Sequence, residues 1–206
     1  MDSLDPTLAE QVTRAVEAVA AGEAVVYPTE TVYGLGADAL SAEAVVAAFD
    51  IKDRDRSNPL SLGVPSVDAA LQYTHPGRRG TEFMRRFLPG PVTVVVPKAD
   101  VVPDVLTAGS DRVGVRVPDH PVTAALLDET GPLTATSANL SGQGSVRHPS
   151  ELGDSVRAAV GAIIDAGEAP GTESTVVDPI EEIIHRQGAH AAEIEAWLDD
   201  PEVRTP

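Results

Sequence analysis

The segment IKDRDRSNPL, from Ile51 to Leu60, carries Lys52, Arg54 and Arg56 at alternate positions. In an extended stretch alternate side chains project to one side. The trio would then cradle a polyphosphate, with Arg offering a two-pronged fork and Lys a point charge. Asp50, Asp53 and Asp55 lie among them, so the same spacing also fits a neutralised, solvated face. A second segment, TSANLSG from Thr136 to Gly142, pairs small hydroxyl and amide side chains with a glycine that lets a backbone come close. That chemistry suits hydrogen bonding to a nucleotide, and equally an ordinary polar turn. Two further loops, YPTETVYGLG (Tyr27 to Gly36) and ESTVVDPIEEIIHRQG (Glu173 to Gly188), carry more polar, Gly and Pro residues than simple turns need. None contains GxxxxGK[ST], a dinucleotide GxGxxG, HExxH or GxSxG, and the chain has no cysteine nucleophile. These standard motifs fail, and the site must be read from the loops themselves.

The rest of the chain bounds that chemistry. Its 206 residues fit one domain. With aromatics at only 3%, the core must be built from Val, Leu, Ile and Ala. Asp and Glu total 32 against 15 Lys and Arg, a net charge of -17 that repels phosphate backbones and anionic membranes. No apolar run approaches the ~18 residues of a membrane span and no basic leader opens the chain, so a soluble, cytoplasmic protein is expected. Lysine occurs only at positions 52 and 98. An acidic, Lys-poor, Ala- and Val-rich chain fits work in very high salt; a GC-rich genome produces the same bias.

Several elements follow from periodicity. Asp5-Pro6 opens a helix with Leu8, Val12, Val16 and Val19 on one face, stopped by Gly22. Ser41 caps a second helix with Ala42, Val45, Val46 and Phe49 at helical spacing. A third is expected from Pro121 to Glu129, capped by Asp119 and closed by Gly131, and a last amphipathic helix carries Ile194, Trp197 and Leu198. Strands are expected at Ala24 to Tyr27, Leu60 to Val64, Val92 to Val96, Val113 to Val117, Leu133 to Thr136, Ala162 to Asp165, Thr175 to Val177 and Glu182 to His185. The alternation predicts a single α/β domain with a twisted, mixed sheet.

Taken in order, PTETVYGLG, K-x-R-x-x-x-NPL, LPGPVT, VGVRVPDHP, TSANLSG, STVVD and HRQG resemble the YrdC/TsaC family of threonylcarbamoyl-AMP synthases, over roughly Gly22 to Gly188. The chain is similar to the short, single-domain members. The resemblance implies an α/β fold with flanking helices and a deep concave cleft. It implies that L-threonine, bicarbonate and ATP give threonylcarbamoyl-AMP and pyrophosphate, with magnesium travelling with ATP and a transferase complex carrying the group on to tRNA. It also implies site residues. Lys52 and Arg54 would neutralise the phosphates, and Asn58 would hydrogen-bond the nucleotide. Ser137, Ala138 by its backbone, Asn139 and Arg186 would hold the AMP part, with Arg112 and the backbone near Val146 beside them. Arg116 would clamp the threonine carboxylate. Thr31, Thr136 and Ser174 would bind threonine or its carbamate, with Tyr33 near the pocket.

The chain departs from the family pattern in places. Asp53 and Asp55 replace a usual Gly and Pro, Leu88 a frequent Trp, Glu173 a frequent Pro and Gln187 another. Gly63 stands where many members have a threonine-binding His. Two other functions stay open at this point. One is a relative that adenylates a different carbamate, as in hydrogenase maturation proteins, although their zinc-finger-like segments are absent here. The other is a double-stranded-RNA-binding module without catalysis, which the acidic balance disfavours.

Overall fold

The computed structural model describes residues 4–200. A nine-stranded mixed sheet runs through it in the order β7-β1-β2-β6-β3-β5-β4-β8-β9. The strands are β1 (Val25–Tyr27), β2 (Gly34–Gly36), β3 (Ser61–Gly63), β4 (Val92–Pro97), β5 (Arg112–Arg116), β6 (Leu133–Ser137), β7 (Ala162–Ile163), β8 (Thr175–Asp178) and β9 (Ile183–Arg186). The helices are α1 (Pro6–Ala20), α2 (Ala42–Ile51), α3 (Val67–Ala70), α4 (Gly77–Phe87), α5 (Pro121–Thr130), α6 (Asp154–Ala159) and α7 (Ala191–Asp199). Among the described residues no helix is long and apolar enough to cross a membrane.

The two expected caps form: Asp5 accepts the Thr7 N–H at 2.9 Å and Ser41 accepts the Ala44 N–H at 3.3 Å. At α5 the cap position is His120, with no side-chain bond, so Asp119 does not cap this helix. The fixed φ of Pro121 at the first helical position starts the turn instead. Strand β7 is shorter than expected, because its register with β1 ends at Val26↔Ile163. The loop expected from Tyr27 to Gly36 ends in a strand, β2, whose Gly-Leu-Gly carries no β-branched signal. α4 is an element beyond those expected from periodicity; Gly80, Phe83, Met84 and Phe87 line its buried face. The ring of Phe83 meets Trp197 of α7 edge-on at 4.8 Å.

Strand alternation decides where the site sits. Leu62, Val94, Val96, Val113, Val115 and Val177 point into one hydrophobic core. Their alternates Ser61, Val95, Arg112, Gly114, Arg116, Val176 and Asp178 point to the opposite face. Helices α1 and α5 pack together over the β1 and β7 end of the sheet. The polar and small positions of the next strands line an open cleft on that face.

Tyr27 forms part of the floor. Its ring lies over the two glycines of β2: a Cβ on Gly34 would come 2.8 Å from the Tyr27 Cζ, and one on Gly36 2.7 Å from Cε1. Gly36→Ala should therefore overpack a ring that is only 2% exposed and cost about 1–3 kcal/mol. At Gly63 a Cβ meets Ala135 Cβ and the Leu133 carbonyl at an ordinary 3.4 Å. Gly63→Ala should stay within about 1 kcal/mol of wild type, and urea unfolding midpoints of the two variants test the contrast.

Candidate functional site

The cleft has a volume of ≈ 770 Å³. It gathers Thr31, Tyr33, Arg54, Asn58, Arg112, Arg116, Thr136, Ser137, Asn139, Ser174 and Arg186, which the chain brings together from five separate segments. Lys52, Ala138 and Val146 do not line it.

The basic segment is not extended. Asp53 has φ 49°, a left-handed turn that throws the three basic side chains in different directions. Lys52 turns inward and is 1% exposed. Arg54 faces the cleft and donates from Nε to the Asn58 carbonyl at 2.9 Å and from an Nη to the Pro59 carbonyl at 3.0 Å. Arg56 is exposed and paired with Asp50 at 2.9 Å, so only this member of the trio is neutralised on a solvated face.

Four arginines line the cleft in a strongly acidic protein, and their partners divide them. Arg112 pairs with the buried Asp178, and its second partner Glu181 lies at 3.8 Å. Arg116, 7% exposed, donates to Glu30 Oε1 at 2.7 Å and to Thr31 Oγ1 at 3.2 Å. Among the described residues Arg54 and Arg186 have no acidic partner. Arg186 donates only to Ser174, at 3.0 Å to its carbonyl and 2.7 Å to its hydroxyl. Burial lowers the pKa of Arg54 from its ordinary value, and the charge of Arg186 pushes the same way. Burial also lowers that of Arg116, which Glu30 opposes and Arg186 reinforces. Arg186 thus acts electrostatically on the guanidiniums of both Arg54 and Arg116.

The loop after β6 is tightly anchored. Asn139 donates its amide to the carbonyls of Leu140 at 2.7 Å and Gln143 at 2.9 Å, leaving its buried Oδ1 without a partner. The Ala138 N–H donates to the Tyr33 carbonyl at 2.8 Å. The Val146 carbonyl accepts the Tyr33 N–H at 2.9 Å. Tyr33 donates its hydroxyl to the Gly167 carbonyl at 2.6 Å, so it ties the cleft rim to that loop. Thr31 shares a 2.8 Å hydroxyl contact with Thr29. The Tyr27 hydroxyl lies 3.8 Å from the position of a Gly63 Cβ, within the space a longer residue 63 would enter.

Glu30 was not among the residues that the sequence singled out. It does not line the cleft but a separate ≈ 180 Å³ pocket, with Asp119 and His120. Its Oε2 and the His120 Nδ1 are buried and unpartnered. Ser61, Gln143, Ser145 and His185 are further cleft residues. Ser61 was detectable as the alternate of the core residue Leu62, and His185 lies on β9, in a strand the sequence predicts; Gln143 and Ser145 sit in a loop without a periodic signal. The described residues hold no group of three or more His, Asp or Glu that could hold a metal ion.

Burial brings the Lys52 ammonium down to about 8, with Arg54 contributing to the shift. Above pH 8 the native state therefore sheds this proton before the unfolded chain does. Folding stability should rise with pH between about 8 and 10 through this residue. Tyr27 acts oppositely above pH 10, where burial keeps its hydroxyl protonated only in the native state. Urea unfolding at pH 8, 9 and 10 should show the rise in wild type and its loss in Lys52→Met.

A family model, Sua5/YciO/YrdC, described as "Telomere recombination", matches residues 17–188. The chain belongs to the Sua5/YciO/YrdC family. Within the family it is 41% identical over 160 residues to a threonylcarbamoyl-AMP synthase of Pyrococcus abyssi, covering 76% of this chain and 47% of that protein. It is 36% identical over 195 residues to one from Bacillus subtilis, covering 91% of this chain and 56% of that one. The chain thus spans about half the length of these curated relatives. The structure of P. abyssi Sua5 complexed with L-threonine superposes with a TM-score of 0.82 at 38% identity, over 86% of this chain and 54% of that one. The mixed sheet with helices on its faces is the fold of this family.

Proposed function

We propose that this chain is an ATP-dependent threonylcarbamoyl-AMP synthase. Threonine's amine and bicarbonate give a carbamate and water, and a carbamate oxygen attacks the α-phosphorus of ATP with pyrophosphate leaving. The observation that carries this reading is the pair Arg54 and Arg186, two cleft arginines without carboxylate partners among the described residues, beside a third, Arg116. Two anions must meet for this reaction, and a cleft with uncompensated cations lowers their repulsion. The names of the relatives and the threonine bound to P. abyssi Sua5 support the choice of substrates.

In this reading Arg54 and Asn58 face the phosphates, and Arg186, Ser137 and Asn139 hold the AMP part, with Arg112 beside them. Arg116 takes the threonine carboxylate, and Thr31, Thr136 and Ser174 the amine or carbamate. Magnesium arrives with ATP. The product supplies tRNA threonylcarbamoyladenosine through a downstream transferase complex, in the cytoplasm. The charge of -17 with two lysines fits a protein that works at high salt. The test is product analysis by mass spectrometry with ATP, threonine and bicarbonate in molar KCl. Threonylcarbamoyl-AMP and pyrophosphate should form only when both threonine and bicarbonate are present. Pyrophosphate release that ignores threonine would overturn the assignment.

A further inference from the structure

We infer that Lys52 is a positioning residue, a clasp that holds the 137–141 loop in its cleft-facing shape, and not a phosphate ligand. The inference rests on the nucleotide-binding reading for its link to the ligand, but the clasp itself rests on geometry alone. Lys52 follows the last residue of α2, and one residue grips the loop at three points. Its Nζ donates to the Ser137 carbonyl and, at 2.6 Å, to the Asn139 carbonyl. Its own carbonyl accepts the Ser141 N–H at 2.9 Å. Side chain and backbone thus engage residues 137, 139 and 141.

The direction of these contacts matters. Ser137 and Asn139 line the cleft while Lys52 does not. The ammonium therefore lies behind the loop and meets its carbonyls. A buried ammonium is tolerated only where acceptors satisfy it, and carbonyls withdrawn from water without a donor carry a smaller cost of their own. Each half of the contact depends on the other. With the clasp in place, the Asn139 amide keeps its bonds to the carbonyls of Leu140 and Gln143. Arg54, two residues on, is the basic residue of the segment that faces the cleft.

A clasp and a phosphate ligand respond differently to ligand size. Lys52→Met should weaken adenosine, AMP and ATP by the same factor, ~10–100-fold, because the loop is lost to all three. It should also speed hydrogen exchange at the Ser141 amide. The chain has no cysteine, so Lys52→Cys can be alkylated in denaturant with bromoethylamine and refolded. The restored side-chain amine should recover both readouts. Lys52→Arg, which keeps a charge but cannot place one nitrogen between two carbonyls, should lose adenosine and ATP affinity together. A loss confined to ATP, with adenosine binding and Ser141 exchange unchanged, would overturn the clasp, and so would a Lys52→Arg variant with wild-type affinities. If wild type binds neither adenosine nor ATP, the nucleotide reading fails, and Ser141 exchange alone decides: unchanged exchange in Lys52→Met refutes the clasp, faster exchange supports it.

Discussion

Arg54→Ala and Arg186→Ala should each lower turnover ~10²–10³-fold while leaving stability within about 1 kcal/mol of wild type. The separation follows from their partners. Among the described residues each guanidinium is held only by carbonyl or hydroxyl oxygens, at 2.7 to 3.0 Å. Exposed contacts of this kind add little to folding. Between the two arginines the dominant interaction in the free protein is repulsion, seen in the lowering of Arg54's pKa by Arg186. Removing either one relieves that repulsion, which offsets the lost hydrogen bonds. With an anion in the cleft the same charges become attractive. Arg56→Ala is the control: its pair with Asp50 is more than half exposed on both sides. That variant should keep wild-type turnover. Steady-state kinetics and melting temperatures of the three variants decide the matter; equal losses at positions 54, 56 and 186 would point to a diffuse field instead of two seated contacts.

The contrast between Arg54 and Arg56 marks where sequence reading stops. Their residue types and spacing were legible, and so was their unusual place in an acidic chain. Their directions were not, because the left-handed turn at Asp53 converts alternation along the chain into divergence in space. Elements were read well where the signal was local, as in the Asp5 and Ser41 caps or the valines of β4 and β5. β2 escaped because its glycines serve the Tyr27 ring, a contact across strands that leaves no periodicity. The burial of Lys52 depends on a loop 85 residues away, and the pairing of Glu30 with Arg116 spans a similar distance. Such long-range pairs are visible only once the sheet order is known. For the same reason the bond from the Ala138 N–H to the Tyr33 carbonyl leaves no trace in the sequence.

That Glu30–Arg116 pair yields the second large effect. Arg116→Met should weaken threonine binding by ~10²-fold or more with ATP affinity little changed, since truncating one member of a desolvated charge pair costs about 2–5 kcal/mol. It should also destabilise the fold by about 2–3 kcal/mol, below the ~3–5 of a fully buried pair because Glu30 is 17% exposed. The two losses have different origins. Arg116 lines the cleft whereas Glu30 lines the small pocket with His120, so the carboxylate holds the guanidinium from outside the ligand's space. The stability loss in Arg116→Met comes from stranding Glu30, and adding Glu30→Gln should restore most of it without restoring threonine binding. Glu30→Gln alone keeps an oxygen for the 2.7 Å contact but removes a negative charge near the incoming carboxylate. Threonine should then bind as tightly as in wild type or tighter. Calorimetric titration with threonine and urea unfolding of the three variants separate the effects. A Glu30→Gln protein that loses threonine as severely as Arg116→Met would mean that Glu30 itself meets the ligand, and the assignment of Arg116 as the carboxylate clamp would fall with it.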